Sequence, residues 1–179
     1  MSLALSVLLL AGSKAGAGPW CTYAPKGTDI KLQMPGKVTY ERFSPKEAAG
    51  AKFACRFRST VGDLTYTVVI ADIGPDLAPT YEKLWKTDKF GQMVEAIVEA
   101  TAGAKRTDGA KVVLHEFGEH NGFPCEVTAT EWPNGTGSAV TGIFTRKGVL
   151  YVGVVGPRKS STTDEEEKLA DSIDLSARK

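Results

Sequence analysis

Residues 111–155 read KVVLHEFGEHNGFPCEVTATEWPNGTGSAVTGIFTRKGVLYVGVV, and this stretch decides the fold. Apolar and β-branched residues recur at every second position between clusters of turn-forming residues, the pattern of strands with one covered face. The spacing predicts strands over 111–120, 123–132, 138–145 and 149–155. Asn121-Gly122 and Asn134-Gly135 supply the positive φ that tight hairpins require, and Arg146-Lys147-Gly148 closes the last one. Strands joined by turns this short run antiparallel. No nucleophile, metal or phosphate motif accompanies the scaffold, so no cofactor or metal is expected.

Upstream, WCTY at 20–23 and DIKLQM at 29–34 alternate in the same way, and Pro35-Gly36 ends the second run. A further strand over 38–43 leads through the polar segment 44–50 into KFACRFRS at 52–59. There Phe53, Cys55 and Phe57 share one face and Arg56 and Arg58 the other. Gly62-Asp63 turns the chain back into LTYTVVIA at 64–71. The period then changes. Between Pro79 and Ala102, Phe90, Val94, Ile97, Val98 and Thr101 fall at helical spacing, capped by Thr87 or Asp88 and stopped at Gly103, with a short helix before them over 80–86. At the other end Thr163-Asp164-Glu165-Glu166 forms a capping box, and Leu169, Ala170 and Ile173 give a narrow apolar stripe for docking on the sheet.

Strands, a helix, more strands and a last helix make an α+β chain: an antiparallel sheet of about six to seven strands flanked by helices. At 179 residues, 42% hydrophobic and 24% charged, the chain fits one globular domain. Lys and Arg number 22 against 21 Asp and Glu, which leaves no field to attract nucleic acid or an anionic membrane. The apolar run 3–11, followed by Ala15-Gly16-Ala17, reads as a signal peptide over 1–17 with cleavage after Ala17, although no Lys or Arg precedes the run. Its alternative is a buried first element. The mature domain is then 18–179, exported to a periplasm or secreted, with no stable membrane insertion. Gly18-Pro19-Trp20 before Cys21 lacks the pattern of a lipid-modified cysteine.

Several short motifs resemble one another's setting in a known family. IKLQMPGK at 30–37 looks like the "apolar strand, Phe/Met-Pro-Gly-Lys" opening of small exported proteins similar to PsbP, the extrinsic photosystem protein. Asn121-Gly122-Phe123-Pro124-Cys125-Glu126 resembles their Gly-x-Pro-x-Glu segment, LYVGVVGP at 150–157 their "Leu-Tyr-x-Leu/Val-x-Val-x-Gly-Pro" strand, and Asp171-Ser172-Ile173 their last-helix ending. The resemblance runs in order from about residue 20 to 175. It implies an α/β/α sandwich shared with a Ran-binding nuclear import factor and with many bacterial proteins of unassigned function, whose members mostly bind other proteins. None of PsbP's ligand-binding residues is matched, so its role in oxygen evolution does not carry over.

Side chains that could carry chemistry are few. His115 and His120 are five apart, where a zincin helix needs four, and in a strand they face opposite ways; Glu116 shares a face with His120. Cys55 and Cys125 sit in register with apolar neighbours as small core residues; three cysteines exclude a disulfide framework, and export would permit one bridge, Cys55–Cys125. Asn134-Gly135-Thr136 matches a glycosylation acceptor but reads first as a turn, and Glu165–Glu167 as a helix N-terminus. Arg56, Arg58, Arg146 and Lys147 form a basic patch only if their strands are neighbours. The function expected is therefore a non-catalytic, exported, protein-binding domain with no catalytic residue assigned. The alternative is a small-ligand carrier or enzyme with a pocket between the sheet and the 79–102 helix.

Overall fold

A computed structural model describes residues 19–24, 30–44, 52–72, 111–145, 147–157 and 162–176. Its strands are β1 (Trp20–Tyr23), β2 (Leu32–Pro35), β3 (Thr39–Arg42), β4 (Phe53–Val61), β5 (Leu64–Asp72), β6 (Lys111–His120), β7 (Phe123–Glu131), β8 (Thr136–Thr145) and β9 (Gly148–Pro157); one helix, α1 (Thr162–Asp171), follows. The strands β3 to β9 form one antiparallel sheet in the order β3-β4-β5-β9-β8-β7-β6, and β1 pairs with β2 in a separate ribbon. The seven-stranded sheet matches the expected strand number. Of the expected flanking helices only α1 is described; the 79–102 and 80–86 helices and the 1–17 segment lie outside the described residues.

The turns form as their residues dictate. Asn121 and Gly122 take φ of 53° and 83°, both left-handed, which is the two-residue hairpin that Asn-Gly favours. Asn134 Oδ1 accepts the Thr136 N–H at 3.0 Å, so this asparagine's side chain helps to close the β7–β8 hairpin. Gly148, opposite Asp72 across the β5–β9 pair, lies so close to the β5 backbone that a Cβ there would collide with the Ala71 carbonyl. Only glycine lets β9 approach β5 at that point.

Pairing register shows how the core is laid. Cys55, Ile70, Leu150, Ile143 and Cys125 stand in one row across β4, β5, β9, β8 and β7, and Phe57, Val68, Val152, Thr141 and Val127 in the next. Both rows belong to the face that carries the core, where Leu169 and Ala170 of α1, then Ile173 and Leu175, pack with Ile30, Leu32 and Met34. The latter three alternate, as the sequence pattern requires, and each is 1% exposed or less. Ser172 locks α1 to β2: its Oγ accepts the Gln33 N–H at 3.1 Å, and Asp174 N–H donates to Lys31 O at 2.8 Å. The second face is also buried at its centre, through Ala54, Val69, Phe144, Val149 and Tyr151.

Candidate functional site

Among the described strands the sheet ends at β6 on one side, and this strand, like β3 at the other end, is mostly exposed. Eight of its ten residues are exposed, Val112, Val113 and Phe117 among them at 44%, 47% and 58%. A strand with this composition usually covers its apolar side chains. Its outer backbone groups alternate toward a flank on which no described strand pairs. Such a flank offers N–H and C=O groups to an incoming strand, with exposed apolar side chains beside them.

On the second face of the sheet, His115 Nε2 lies 2.5 Å from Glu126 Oε1. Register explains the contact: Glu126 of β7 stands opposite Phe117, one same-face step from His115. The Glu126 residue is 3% exposed, and its Oε2 has no partner among the described residues, whereas the His115 side chain is 46% exposed. A buried carboxylate is costly unless its oxygens are paired, so His115 supplies most of what holds this one. Gly142 follows Glu126 in the same row, and the Phe144 and Tyr151 rings close over the space a side chain would fill there.

His120 goes the other way. Its Nε2 lies 3.2 Å from the Ala170 carbonyl at the end of α1 and 3.9 Å from Asp171 Oδ1, so it caps a helix C-terminus. A carbonyl only accepts, so the contact to Ala170 requires the proton on Nε2; Asn121 Nδ2 lies 3.1 Å from the same nitrogen. The two histidines thus sit on opposite faces, as their spacing predicts, and they do not converge. No group of three or more His, Cys, Asp or Glu able to hold a metal occurs among the described residues.

Cys55 and Cys125 are both buried and neither is in a disulfide, which corrects the bridge that export would permit. Their strands β4 and β7 are separated by β5, β9 and β8, or about 19 Å at the usual strand spacing, far beyond disulfide reach. Burial raises the Cys125 thiol above its ordinary value, assisted by the nearby Glu166 and Glu119 carboxylates and opposed by a hydrogen bond to the Gly118 backbone. That environment makes it an inert thiol. Arg56 is engaged by Glu41 at 2.6 Å and lies over the Phe43 ring, so it lends no free charge to a basic patch; Arg146 lies outside the described residues.

The α1 carboxylates carry more than a solvated helix start. Tyr66, fully buried, donates its hydroxyl to Glu165 Oε2 at 2.8 Å, and burial followed by that carboxylate pushes the phenol well above its ordinary range. Glu166 is 3% exposed and is pushed up to about 7, first by desolvation and then by Glu167 and Asp171, against a hydrogen bond from Thr141. Trp20 meets Tyr66 edge-on at 5.9 Å and takes the Lys168 ammonium over its face at 4.4 Å. Spacing alone marks Glu166, since it precedes Leu169 and Ala170 by three and four positions and so shares their apolar stripe.

No family model and no curated protein matches the sequence. Among solved structures, the solution structure of cyanobacterial PsbP (CyanoP) from Synechocystis sp. PCC 6803 superimposes with a TM-score of 0.54, covering 92% of this chain and 98% of that one at 15% identity. The fold is that of PsbP. A protein of unknown function from Pseudomonas aeruginosa also aligns, at TM-score 0.36 and 12% identity over 84% of this chain and 90% of its own. The PsbP-like fold here is sheet-rich, with seven strands in one sheet, two in a ribbon and one described helix. Among the described residues no helix is long and apolar enough to cross a membrane.

Proposed function

We propose that this chain is a non-catalytic, exported accessory domain that binds protein by adding a strand to the flank of β6 on which no described strand pairs. The observation that carries the reading is the exposure of Val112, Val113 and Phe117 on a terminal strand of the sheet. Backbone hydrogen bonds along such a flank supply affinity, and side chains at alternate positions supply selectivity. Phe117→Lys should abolish recovery of the bound protein from the native source while the melting profile stays close to that of the unmodified chain. Retention of the same protein by the variant would remove β6 from the account.

Export rests on the 3–11 apolar run and the small residues at 15–17. Intact mass of the chain recovered outside the cytoplasm should correspond to 18–179. A mass that retains Met1 would count against export. The second reading, a small-ligand or catalytic pocket on the second face, is favoured by one observation, the buried Glu126 whose Oε2 has no partner among the described residues. A ligand that protects against thermal unfolding and loses that effect in Glu126→Gln would support it.

A further inference from the structure

On the second face, β6 presents His115, Phe117 and Glu119 in line, opposite Thr128, Glu126 and Pro124 of β7. The His115 and Phe117 rings are 5.1 Å apart along this stripe. It reads base, aromatic, acid. Turned about a two-fold axis it reads acid, aromatic, base, so two such stripes laid edge to edge and antiparallel complement each other.

Register narrows the arrangement to one. Directly opposite residues in a continuous sheet share a face, so a residue, and not a peptide bond, must lie on the axis. The irregularity between Val112 and Leu114 confines regular pairing to 114–120. An axis through Glu116 would set carboxylate against carboxylate, and one through His115 would set imidazole against imidazole and draw in the irregular segment. An axis through Gly118 would leave Phe117 facing Glu119 of the second copy. With Phe117 on the axis, the two rings meet, His115 faces Glu119 of the second copy twice by symmetry, and on the other face Leu114 faces His120 and Glu116 faces Gly118. No like charges are opposed, and the aromatic pair lies at the centre.

We propose that the occupant of the β6 flank is a second copy of this chain, paired antiparallel through 114–120 with Phe117 on the two-fold axis. The proposal rests on β6 being the protein-binding edge and names what binds there. It joins two seven-stranded sheets into one continuous sheet and covers the most exposed large apolar side chain among the described residues.

Sedimentation equilibrium of the purified chain over a concentration series tests it, together with Glu119→Lys and, in a Cys21→Ser background, Phe117→Cys and Tyr40→Cys. Residues 117, 119 and 40 are all exposed, so these variants keep the fold. The expected result is a monomer–dimer equilibrium weakened roughly tenfold by Glu119→Lys, since two symmetry-related His115–Glu119 pairs are lost at once. Mild oxidation should yield a covalent dimer from Phe117→Cys and none from Tyr40→Cys, which lies on the opposite edge strand. A chain that stays monomeric, a dimer indifferent to Glu119→Lys, or cross-linking at 40 and not at 117 would overturn self-pairing. A monomer that still binds another protein and loses it on Phe117→Lys would overturn only the choice of occupant; loss of both would overturn the protein-binding reading as well.

Discussion

Glu166→Gln should make the protein more stable at pH 8 while leaving its stability near pH 4 almost unchanged. The folded carboxyl is pushed up to about 7 from an ordinary value of 4.5, chiefly by burial. Between those values the folded chain holds a proton that the unfolded chain has released, so stability falls as pH rises through the window. The slope is about 1.4 kcal/mol per pH unit and the total roughly 3 kcal/mol. Glutamine keeps the shape of the neutral acid and can still accept the Thr141 hydroxyl, but it has nothing to ionise. Denaturant melts from pH 4 to pH 8 should therefore diverge above about pH 5. Parallel curves for the two proteins would mean that Glu166 reaches water when the helix breathes, and that its burial does not govern the pH response.

The second large effect belongs to the sheet centre. Leu150 is fully buried on β9, the middle strand, between Ile70 and Ile143. Leu150→Ala should cost roughly 2–5 kcal/mol, because the rows on either side are held by backbone ladders and cannot collapse into the gap. For a chain of this size that corresponds to a Tm lower by about 10 °C. Val155→Ala, on the same strand but at a 40% exposed position, should cost well under about 1 kcal/mol. Equal costs at the two positions would contradict the assignment of the core.

Much of this architecture is legible in the sequence for a physical reason: hairpins are local. The Asn121-Gly122 and Asn134-Gly135 turns fix which strands pair and in which direction, so β6 to β9 follow from residues near in sequence. Their ends shift because pairing continues while partners exist; Thr136 and Gly137 join β8 by meeting Pro157 and Gly156, two residues earlier than alternation indicates. The insertion of β9 beside β5 is not local, and periodicity cannot reveal it. Nor does it reveal that Leu32–Pro35 stands apart from the main sheet and pairs with Trp20–Tyr23. Once β9 is placed there, however, the hairpin series puts β6 at the edge without further information.

The site is less legible than the fold. His115 and Glu126 meet because a two-residue turn brings β7 back along β6, which the sequence signals, but the burial of Glu126 is visible in neither strand. Tyr66 and Glu165 are separated by 99 positions, and nothing in either neighbourhood points to the other. The Cys55–Cys125 pairing fails for the same reason: side-chain register places both on the core face, while strand order, invisible in the sequence, sets them four strands apart.

Amide hydrogen exchange tests the role of β6 most directly. The chain alone and dilute should exchange rapidly at alternate amides of 114–120, those that point away from β7, while β9 stays protected. With the edge occupied, by a second copy at high concentration or by another protein, these same amides should become protected and the rest of the sheet should change little. Protection that arises elsewhere, with the 114–120 amides still exchanging as in the dilute chain, would contradict the assignment of β6 as the binding edge.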